Sequence, residues 1–484
     1  MRHFILTCAA MVCAAACSVG PSFEEPTAQL PERWDENGER DLAEQISQAQ
    51  ADSEWWREFG DPLLTDLIER ARESNLDLRS AALKMAQARA QRDAVAGQRA
   101  PSVAANASYR RQRLSELGTG TRLVDAIGIP GERDRIIDAL SEQHDVYQFG
   151  FDAAWELDLW GRLSRAVESA DAAFEASTAD LEGARVSVVG EVARAYVELR
   201  GVQEQLRIAR DDLRASEDLL ELTRLRAEGG LVSELDVIAQ QAQLAQSRAR
   251  VPELEQQETL LLDQLAFLLG QAPGALRSEL TAAVSRPSPP ARLSMGIPSE
   301  LARRRPDIRA AEARLRAATA EVGIAVADLY PRITLMGGFL FESLRAADLG
   351  EWGARQWSVG PSLSLPLFDG GRRRAVVELR ELQQQEAAVH YRRTVLAAWH
   401  EIDTTLEVYV RERRRNEELA AAVEASREAY EIAMTRYRHG MSDYLIPLDA
   451  QRTMFQAERA LSASDTLLTA RAVALYKALG GGWE

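Results

Sequence analysis

The stretch EVARAYVELRGVQEQLRIARDDLRASEDLLELTRLRAEGGLVSELD, residues 191–236, decides the fold. Its apolar residues recur every seven positions, at Val192, Leu199, Leu206, Leu213 and Leu220. That spacing predicts a left-handed coiled-coil seam. Residues 163–228 contain no proline, so they predict one helix about 100 Å long. Gly229-Gly230 interrupts the helix, and the heptad spacing resumes between Ser233 and Leu269. The stretch therefore predicts an antiparallel helical hairpin.

The chain contains a second copy of this hairpin. GRLSRAVESADAAF from Gly161 aligns with GRRRAVVELRELQQ from Gly371, an offset of 210 residues. Without a gap, the same offset aligns Glu191-Val192 with Glu401-Ile402, Gly230 with Gly440, and Leu269-Gly270 with Leu479-Gly480. Upstream the offset is 230, which places Pro101 on Pro331. The sequence therefore predicts an internal tandem duplication.

Each copy is predicted to run helix, two strands, long helix, tip and return helix. Asp61 and Pro62 form an N-cap with proline at the first helical position, opening a helix toward Gly97. Its counterpart in the second copy runs from near Ser299 toward Leu329. Residues 61–270 and 299–484 are the two repeats, and 271–298 link them.

Four segments between the helices alternate apolar and polar residues with the period of a strand. Their apolar faces comprise Phe149, Phe151, Ala153, Trp155, Leu157 and Leu159; Ile333, Leu335, Phe339 and Phe341; Trp357, Val359, Leu363, Leu365 and Leu367; and a weaker set within Val103–Tyr109. Tryptophans stand near the segment ends, at Trp155, Trp160, Trp352 and Trp357. This pattern is typical of lipid-facing strands with aromatic girdles.

Alternation also suits a half-buried soluble sheet, but no amphipathic helix remains to cover one. Strands in lipid must close into a barrel, because an open edge leaves backbone groups unsatisfied. Two chains would supply 8 strands and three chains 12, and only the larger barrel leaves an open lumen. We therefore expect a trimer, with external loops near residues 112–143 and 342–355.

The first residues predict export and lipidation. Residues 1–3 include one arginine, Arg2, and an uncharged run extends from Phe4 to Ala16. This run has signal-peptide length and is too short to span a bilayer. Residues 1–16 are the predicted signal peptide, and Cys17 resembles the acylated cysteine of a bacterial lipobox, with residues 17–60 as an anchor and equatorial segment. The alternative is ordinary secretion with Cys17 either removed or idle.

Composition and motifs disfavour several classes of function. The net charge of −16 argues against nucleic acid as a partner. The five histidines show no metal-ligand spacing, and neither a GxSxG nor a phosphate-binding loop occurs. We therefore predict no catalysis and no metal, with covalent lipid on Cys17 as the only attached group.

The chain resembles TolC-like outer-membrane factors, in the lipoprotein branch that serves resistance-nodulation-division efflux pumps (NodT/OprM-like). The resemblance rests on CSVGPSFEEP, WWREFGDPLLTDLIERA, WELDLWGR, RRRPDIRAAEARLRAATAEVG, LYPRITL, GPSLSLPLFDGGR and YRHGMSDYLIPLDAQR, from Cys17 onward. It implies a trimeric channel with a 12-stranded β-barrel and a helical periplasmic barrel. It also implies a periplasmic adaptor and an inner-membrane transporter as partners, with passive efflux of small molecules.

The resemblance also suggests working residues at the two hairpin tips. The adaptor-docking candidates are Gly229, Gly230, Leu231, Val232 and Ser233 in the first tip, and Gly440, Met441 and Ser442 in the second. The gate candidates are Asp236, Tyr437, Asp443, Asp449 and Arg452. A ring of three carboxylates would repel itself and attract cations. Ordinary turn and helix-start chemistry is the competing explanation.

Two other functions fit parts of the pattern. A lipid-anchored coiled-coil scaffold would need no alternating strands, and a duct for protein secretion would have the same architecture as an efflux channel. The sequence favours small-molecule efflux, in the bacterial outer membrane and extending into the periplasm.

Overall fold

The protein is described by a computed structural model. The described residues are 18–25, 46–47, 53–118, 132–281, 286–290, 292–294 and 304–481. They fall into two compact units, each built from segments of both repeats. Cys17 and the signal peptide lie outside the described residues.

The described chain is mainly helical. Its helices are α1 (Pro62–Ser74), α2 (Leu76–Gly97), α3 (Arg133–Ser141), α4 (Arg162–Glu228), α5 (Glu234–Leu268), α6 (Arg277–Leu280), α7 (Pro306–Ala327), α8 (Arg372–Arg438) and α9 (Leu445–Ala478). Its strands are β1 (Ile46–Ser47), β2 (Ser102–Gln112), β3 (His144–Leu157), β4 (Leu293–Ser294), β5 (Arg332–Ser343) and β6 (Arg355–Ser364). Within these described ranges, no helix has both the length and the apolarity needed to cross a membrane.

The helix bounds confirm the tandem duplication. Helices α4 and α8 each have 67 residues and correspond at the offset of 210, and α5 and α9 end at the same offset. Backbone φ angles repeat as well, with Gly230 at 72° and Gly440 at 71°. The predicted class, long helical hairpins with four strands and an internal repeat, is confirmed.

The coiled-coil seam lies in the second unit. Val192 and Leu199 are fully buried, and Leu206 and Leu220 are nearly so. They extend from an aromatic cluster in which Trp55 stacks on Tyr476, with ring centroids 5.2 Å apart. Four of the five heptad residues therefore pack as the sequence predicts, and Leu213 is half-buried.

The first helix of the first repeat differs from the prediction in its bounds. Asp61 caps α1, since its Oδ1 accepts the backbone N–H groups of Leu63 and Leu64 over 2.9 and 3.2 Å. The single helix predicted to reach Gly97 is wrong, because Asn75 adopts an extended backbone and its Oδ1 caps a second helix, α2. The counterpart α7 begins at Pro306, and residues 295–303 lie outside the described residues.

The four long strands form one antiparallel sheet in the first unit, in the order β2-β3-β5-β6. The register pairs Phe151 with Phe339 and Phe339 with Trp357, so the apolar sets of neighbouring strands share one face. Both edge strands, β2 and β6, lack a second neighbour among the described strands. Among the described strands, the sheet is thus two-faced and open at both edges.

The connection between β2 and β3 is only partly an irregular loop. We predicted an external loop near residues 112–143, and within its described part α3 forms instead, burying Ile137. The apolar residues of RDRIIDALS are spaced so that they share one face of α3. Short 3₁₀ turns, Ala346–Asp348 and Trp352–Ala354, occupy the loop between β5 and β6.

Candidate functional site: hairpin tips and strand sheet

Both hairpin tips end their long helix in the same turn. At the first tip, Leu231 N–H donates to the Arg226 carbonyl and Gly230 N–H to the Ala227 carbonyl, each over 2.9 Å. At the second tip, Met441 donates to Arg436 and Gly440 to Tyr437, again over 2.9 Å. This is a Schellman motif, which needs glycine at its left-handed position. The motif leaves Leu231 and Met441 exposed, at 75% and 60% of their surface.

The first return helix begins with the predicted capping box. Ser233 Oγ accepts the N–H of Asp236, and Asp236 Oδ2 accepts the N–H of Ser233 over 2.9 Å. Asp236, a gate candidate, therefore has its carboxylate engaged in starting α5. At the second tip Asp443 Oδ1 accepts the N–H of Leu445 over 3.1 Å, whereas Tyr444, the N-cap residue of α9, makes no side-chain capping bond.

Tyr437 lies in the core of the paired hairpins, not on the surface. It is fully buried, together with Leu219, Met434, Tyr444 and Leu448. The guanidinium of Arg226, from the first hairpin, lies 3.9 Å from the ring centroid and donates to the Tyr437 carbonyl. Within the described residues, the Tyr437 hydroxyl has no hydrogen-bond partner. Its ring therefore joins the two hairpins through packing and the Arg226 cation.

Three of the gate candidates lie together in one groove on the second hairpin. The groove encloses 730 Å³ and is lined by Asp443, Asp449 and Arg452, with Ser426 and Ala429 on its α8 side. Arg452 is held by its Nε–H, which donates to Gln243 of the first hairpin over 2.9 Å. Asp236 and Tyr437 do not line this groove.

A buried polar network, which the sequence analysis did not identify, joins the hairpins just behind the tips. The Tyr444 hydroxyl donates to Gln240 Oε1 over 2.7 Å. Gln240 Nε2 donates to the Ser216 carbonyl over 3.0 Å, and Gln451 Nε2 donates to Ser216 Oγ over 3.0 Å. The hydroxyl of Ser247 donates to Asp212 Oδ2 over 3.1 Å. We call this set the tip network; burial of its members makes each bond costly to break.

The sequence carries one signal for this network. Ala209, Ser216 and Thr223 recur every seven residues and are all buried, so they form a second seam of α4 beside the leucine seam. Burial also raises the pKa of Tyr444 to about 12, which keeps its hydroxyl protonated as a donor.

The two faces of the sheet have opposite chemistry. The apolar face exposes large side chains, among them Phe151 at 49%, Trp357 at 70% and Val359 at 69%. On the other face Ser108 donates to Gln148 over 3.0 Å, and Gln148 donates to Glu342. One face therefore suits lipid and the other water.

The residues that follow Cys17 lie beside the base of this sheet. Val19 N–H donates to the Trp160 carbonyl over 3.2 Å, directly after β3. The Trp160 indole donates to the Pro331 carbonyl over 2.8 Å and stacks on Tyr330. The contacts place the start of the described chain at the aromatic end of the strands.

Within the described residues, no cluster of histidine, cysteine and acidic side chains is arranged to hold a metal ion.

The model of the outer membrane efflux protein family matches residues 67–271 and 297–481, which together are most of the chain. The chain belongs to this family. OprJ, an outer membrane protein of Pseudomonas aeruginosa, is 34% identical over 97% of this chain and 94% of its own length. OpmQ of Pseudomonas putida, a pyoverdine export outer membrane protein, is 34% identical over 90% of each chain.

A solved structure supports the same family assignment. The outer-membrane channel OprN is 37% identical and superimposes with a TM-score of 0.86 over 96% of this chain and 100% of that structure. The predicted family and the predicted function, an outer-membrane channel component of an efflux system, are confirmed. The family consists of channel proteins.

Proposed function

We propose that three copies of this chain form a passive exit duct through the outer membrane and periplasm, driven by an inner-membrane transporter through a periplasmic adaptor. The observation that carries the proposal is the two-faced sheet, whose edge strands β2 and β6 have no second neighbour among the described strands. In lipid an unpaired edge costs several kcal/mol per backbone group, so β6 of one copy must pair with β2 of another. Three four-stranded sheets then close a barrel of 12 strands around the polar face.

The hairpin tips are the docking site in this proposal. Each presents an exposed apolar side chain, Leu231 or Met441, from a rigid glycine turn. Two equivalent tips per chain give six per trimer, which suits an adaptor that repeats around the same axis. The transporter that drives efflux is proposed to be of the resistance-nodulation-division type.

The gate is proposed to lie at the groove of the second hairpin. Asp443 and Asp449 are exposed there, and three copies would bring two acidic rings toward the axis. Carboxylate rings at a constriction narrow the lumen and attract cations. Arg452, held by Gln243, supplies a compensating charge.

A lipid on Cys17 is proposed to anchor the chain. Val19 is held at the Trp160 carbonyl, so acyl chains two residues earlier would enter the membrane beside the aromatic end of the strands. A Cys17→Ser variant should lose incorporation of labelled palmitate, whereas the matched Cys13→Ser variant should keep it. Labelling of Cys17→Ser would remove the anchor from the proposal.

Small toxic compounds are the proposed cargo. Relatives include a toluene efflux pump outer membrane protein and a pyoverdine export outer membrane protein, so related ducts serve chemically different molecules. No catalytic step is proposed, because cargo passes through without reacting.

Planar-bilayer recording of the detergent-purified protein, with its mass measured in parallel, tests the duct. Single-channel conductance from a species of three chains is the expected result. A monomeric mass without any conductance would overturn the proposal.

A further inference from the structure

The apolar face of the sheet ends, at its outer side, in an arginine between two tryptophans. Arg355 is the first residue of β6 and follows the loop that joins β5 to β6. Its register partner is Phe341, and Trp357 pairs with Phe339, so Arg355 and Trp357 share the apolar face. Trp352, in the loop, has 69% of its surface accessible, and Trp357 has 70%. A cation and two exposed indole rings therefore stand together at this edge.

The Arg355 guanidinium is held in place by Trp352. Its Cζ lies 4.3 Å from the centroid of the Trp352 ring, and Nη1 donates to the Trp352 carbonyl. Stacking on tryptophan orients the planar guanidinium without neutralising its charge. Among the described residues, no carboxylate lies within ion-pair distance of Arg355. The arginine is thus positioned, charged and exposed.

Other arginines at the ends of the strands have their charge compensated. At the inner end Arg162 binds both carboxylate oxygens of Glu156, over 2.7 and 2.8 Å. In the same outer loop as Trp352, Arg345 donates to Asp348 over 3.0 Å. Neither pair leaves a net charge for a ligand. Arg355 differs from both, because its partner is an aromatic ring and not an acid.

The position of Arg355 matches the headgroup layer of the outer leaflet. Tyr147 and Leu157 lie ten positions apart on the apolar face of β3, which is roughly 25 Å on a strand tilted by about 40°. That is the height of the apolar band of an outer-membrane barrel. Tyr147 packs on Tyr109 of β2, with ring centroids 5.1 Å apart, and marks the outer limit of the band. Arg355 starts β6 at this outer end, and its long side chain reaches further out, to the loop.

We propose that Arg355, Trp352 and Trp357 bind the phosphate group of a membrane lipid in the outer leaflet, one lipid per copy of the chain. The guanidinium donates parallel N–H groups to the phosphate oxygens, the geometry in which arginine binds phosphate most strongly. The indole rings cover the apolar part of the lipid next to its headgroup. The inference rests on the lipid-facing sheet proposed above and names the lipid chemistry that this face recognises.

The neighbouring apolar surface selects a lipid over a free anion. Inorganic phosphate would satisfy Arg355 but would leave the rings of Trp352 and Trp357 exposed. An amphiphile with an anionic head satisfies the cation and the rings together. The lipid tails then continue along the apolar face below, over residues such as Val359.

Titration of the detergent-purified, full-length protein with lipid A, a phosphorylated glycolipid, tests the site. Native mass spectrometry counts the lipids bound, and three per trimer are expected at saturation. Chemically dephosphorylated lipid A should bind at least about tenfold more weakly, because charge-assisted hydrogen bonds to phosphate are lost. Inorganic phosphate at the same concentration as lipid A should not displace it.

Arg355→Gln should weaken the binding of lipid A by about tenfold or more, and Trp352→Leu should weaken it to a smaller extent. Arg345→Gln is the matched control, since it removes an arginine of the same loop that is already paired with Asp348. Its affinity should equal that of the unmodified protein. Equal losses from Arg355→Gln and Arg345→Gln would refute the assignment to Arg355.

The unmodified protein provides a test that does not depend on a variant folding. Raising the NaCl concentration from about 0.1 M to about 1 M should weaken the binding of lipid A and leave that of the dephosphorylated form unchanged, because salt screens exposed charges. Identical salt dependence of the two lipids would overturn the proposal.

The outcomes separate the lipid site from the duct. A trimeric, conducting protein that binds lipid A and its dephosphorylated form equally would refute the site and leave the duct standing. Displacement of lipid A by an equal concentration of inorganic phosphate would refute the need for a lipid. A monomeric, non-conducting protein that binds lipid A through Arg355 would overturn the duct and support the site.

Discussion

Tyr444 and Gln240, 204 residues apart in the chain, share a hydrogen bond of 2.7 Å between two buried side chains. Gln240 Nε2 in turn donates to the Ser216 carbonyl over 3.0 Å. Tyr444 of the second repeat and Gln240 of the first therefore fix the alignment of α9 against α4. Leucine seams alone tolerate sliding by one heptad, whereas buried polar pairs are satisfied in only one register. The bond therefore sets the height at which the two hairpins meet.

Tyr444→Phe should reduce the free energy of unfolding by about 1–3 kcal/mol, because it leaves a buried Gln240 oxygen without its donor. Chemical denaturation of the detergent-purified protein, followed by circular dichroism, measures the change. Tyr437→Phe is the matched control, since the Tyr437 hydroxyl has no hydrogen-bond partner among the described residues, and little change is expected. Equal losses from the two variants would show that the Gln240 bond does not contribute.

Alkaline pH should destabilise the helical hairpins between pH 10 and about 12. Burial raises the pKa values of Tyr444 and Tyr196 to about 12, above the ordinary value of 10. Their contribution to stability is fully present below pH 10 and is lost as the pH rises through the folded value, because the unfolded chain releases these protons first. Denaturation midpoints measured across this range should fall. Tyr444→Phe should flatten the decline, and an identical pH profile in that variant would contradict the assignment.

The sequence specified the helices and strands better than the contacts between them. One face of one helix produces the seven-residue spacing of Val192 and Leu199, and one face of one strand produces the alternation of Phe149 and Phe151. Each periodicity can be read from a short stretch of sequence. The break at Asn75 was missed because an asparagine can continue a helix or cap a new one. The hydrogen bond that its side chain donates to the Leu268 carbonyl selects the capping conformation. Among the gate candidates, Asp236 caps α5 and Tyr437 occupies a core position, so within one chain neither lines the groove that contains Asp449.

Asp449→Ala, combined with Tyr437→Phe, should raise single-channel conductance. Removing Asp449 from all three copies takes away one of the two acidic rings that narrow the proposed constriction. Removing the Tyr437 hydroxyl leaves the Arg226 contact with its ring in place. Planar-bilayer recordings provide the measurement, and Tyr437→Phe alone should behave like the unmodified protein. Unchanged conductance in the double variant would place the constriction elsewhere.

The register of the barrel closure can be predicted from the sheet inside one chain. Ala154 of β3 pairs with Met336 of β5, and the repeat offsets of 210 and 230 convert this pair into Ser364 of one copy and Asn106 of the next. Directly opposite residues have Cβ atoms about 4.5–5.5 Å apart, close to the reach of a disulfide.

Asn106→Cys with Ser364→Cys should therefore form disulfide-linked oligomers on oxidation, visible in a non-reducing gel. Ala104→Cys with Ser364→Cys, on the same face but displaced by two residues, should link poorly. Preferential linking of the displaced pair would show that β6 and β2 meet in a different register, so that the pairing between copies does not repeat the pairing within one.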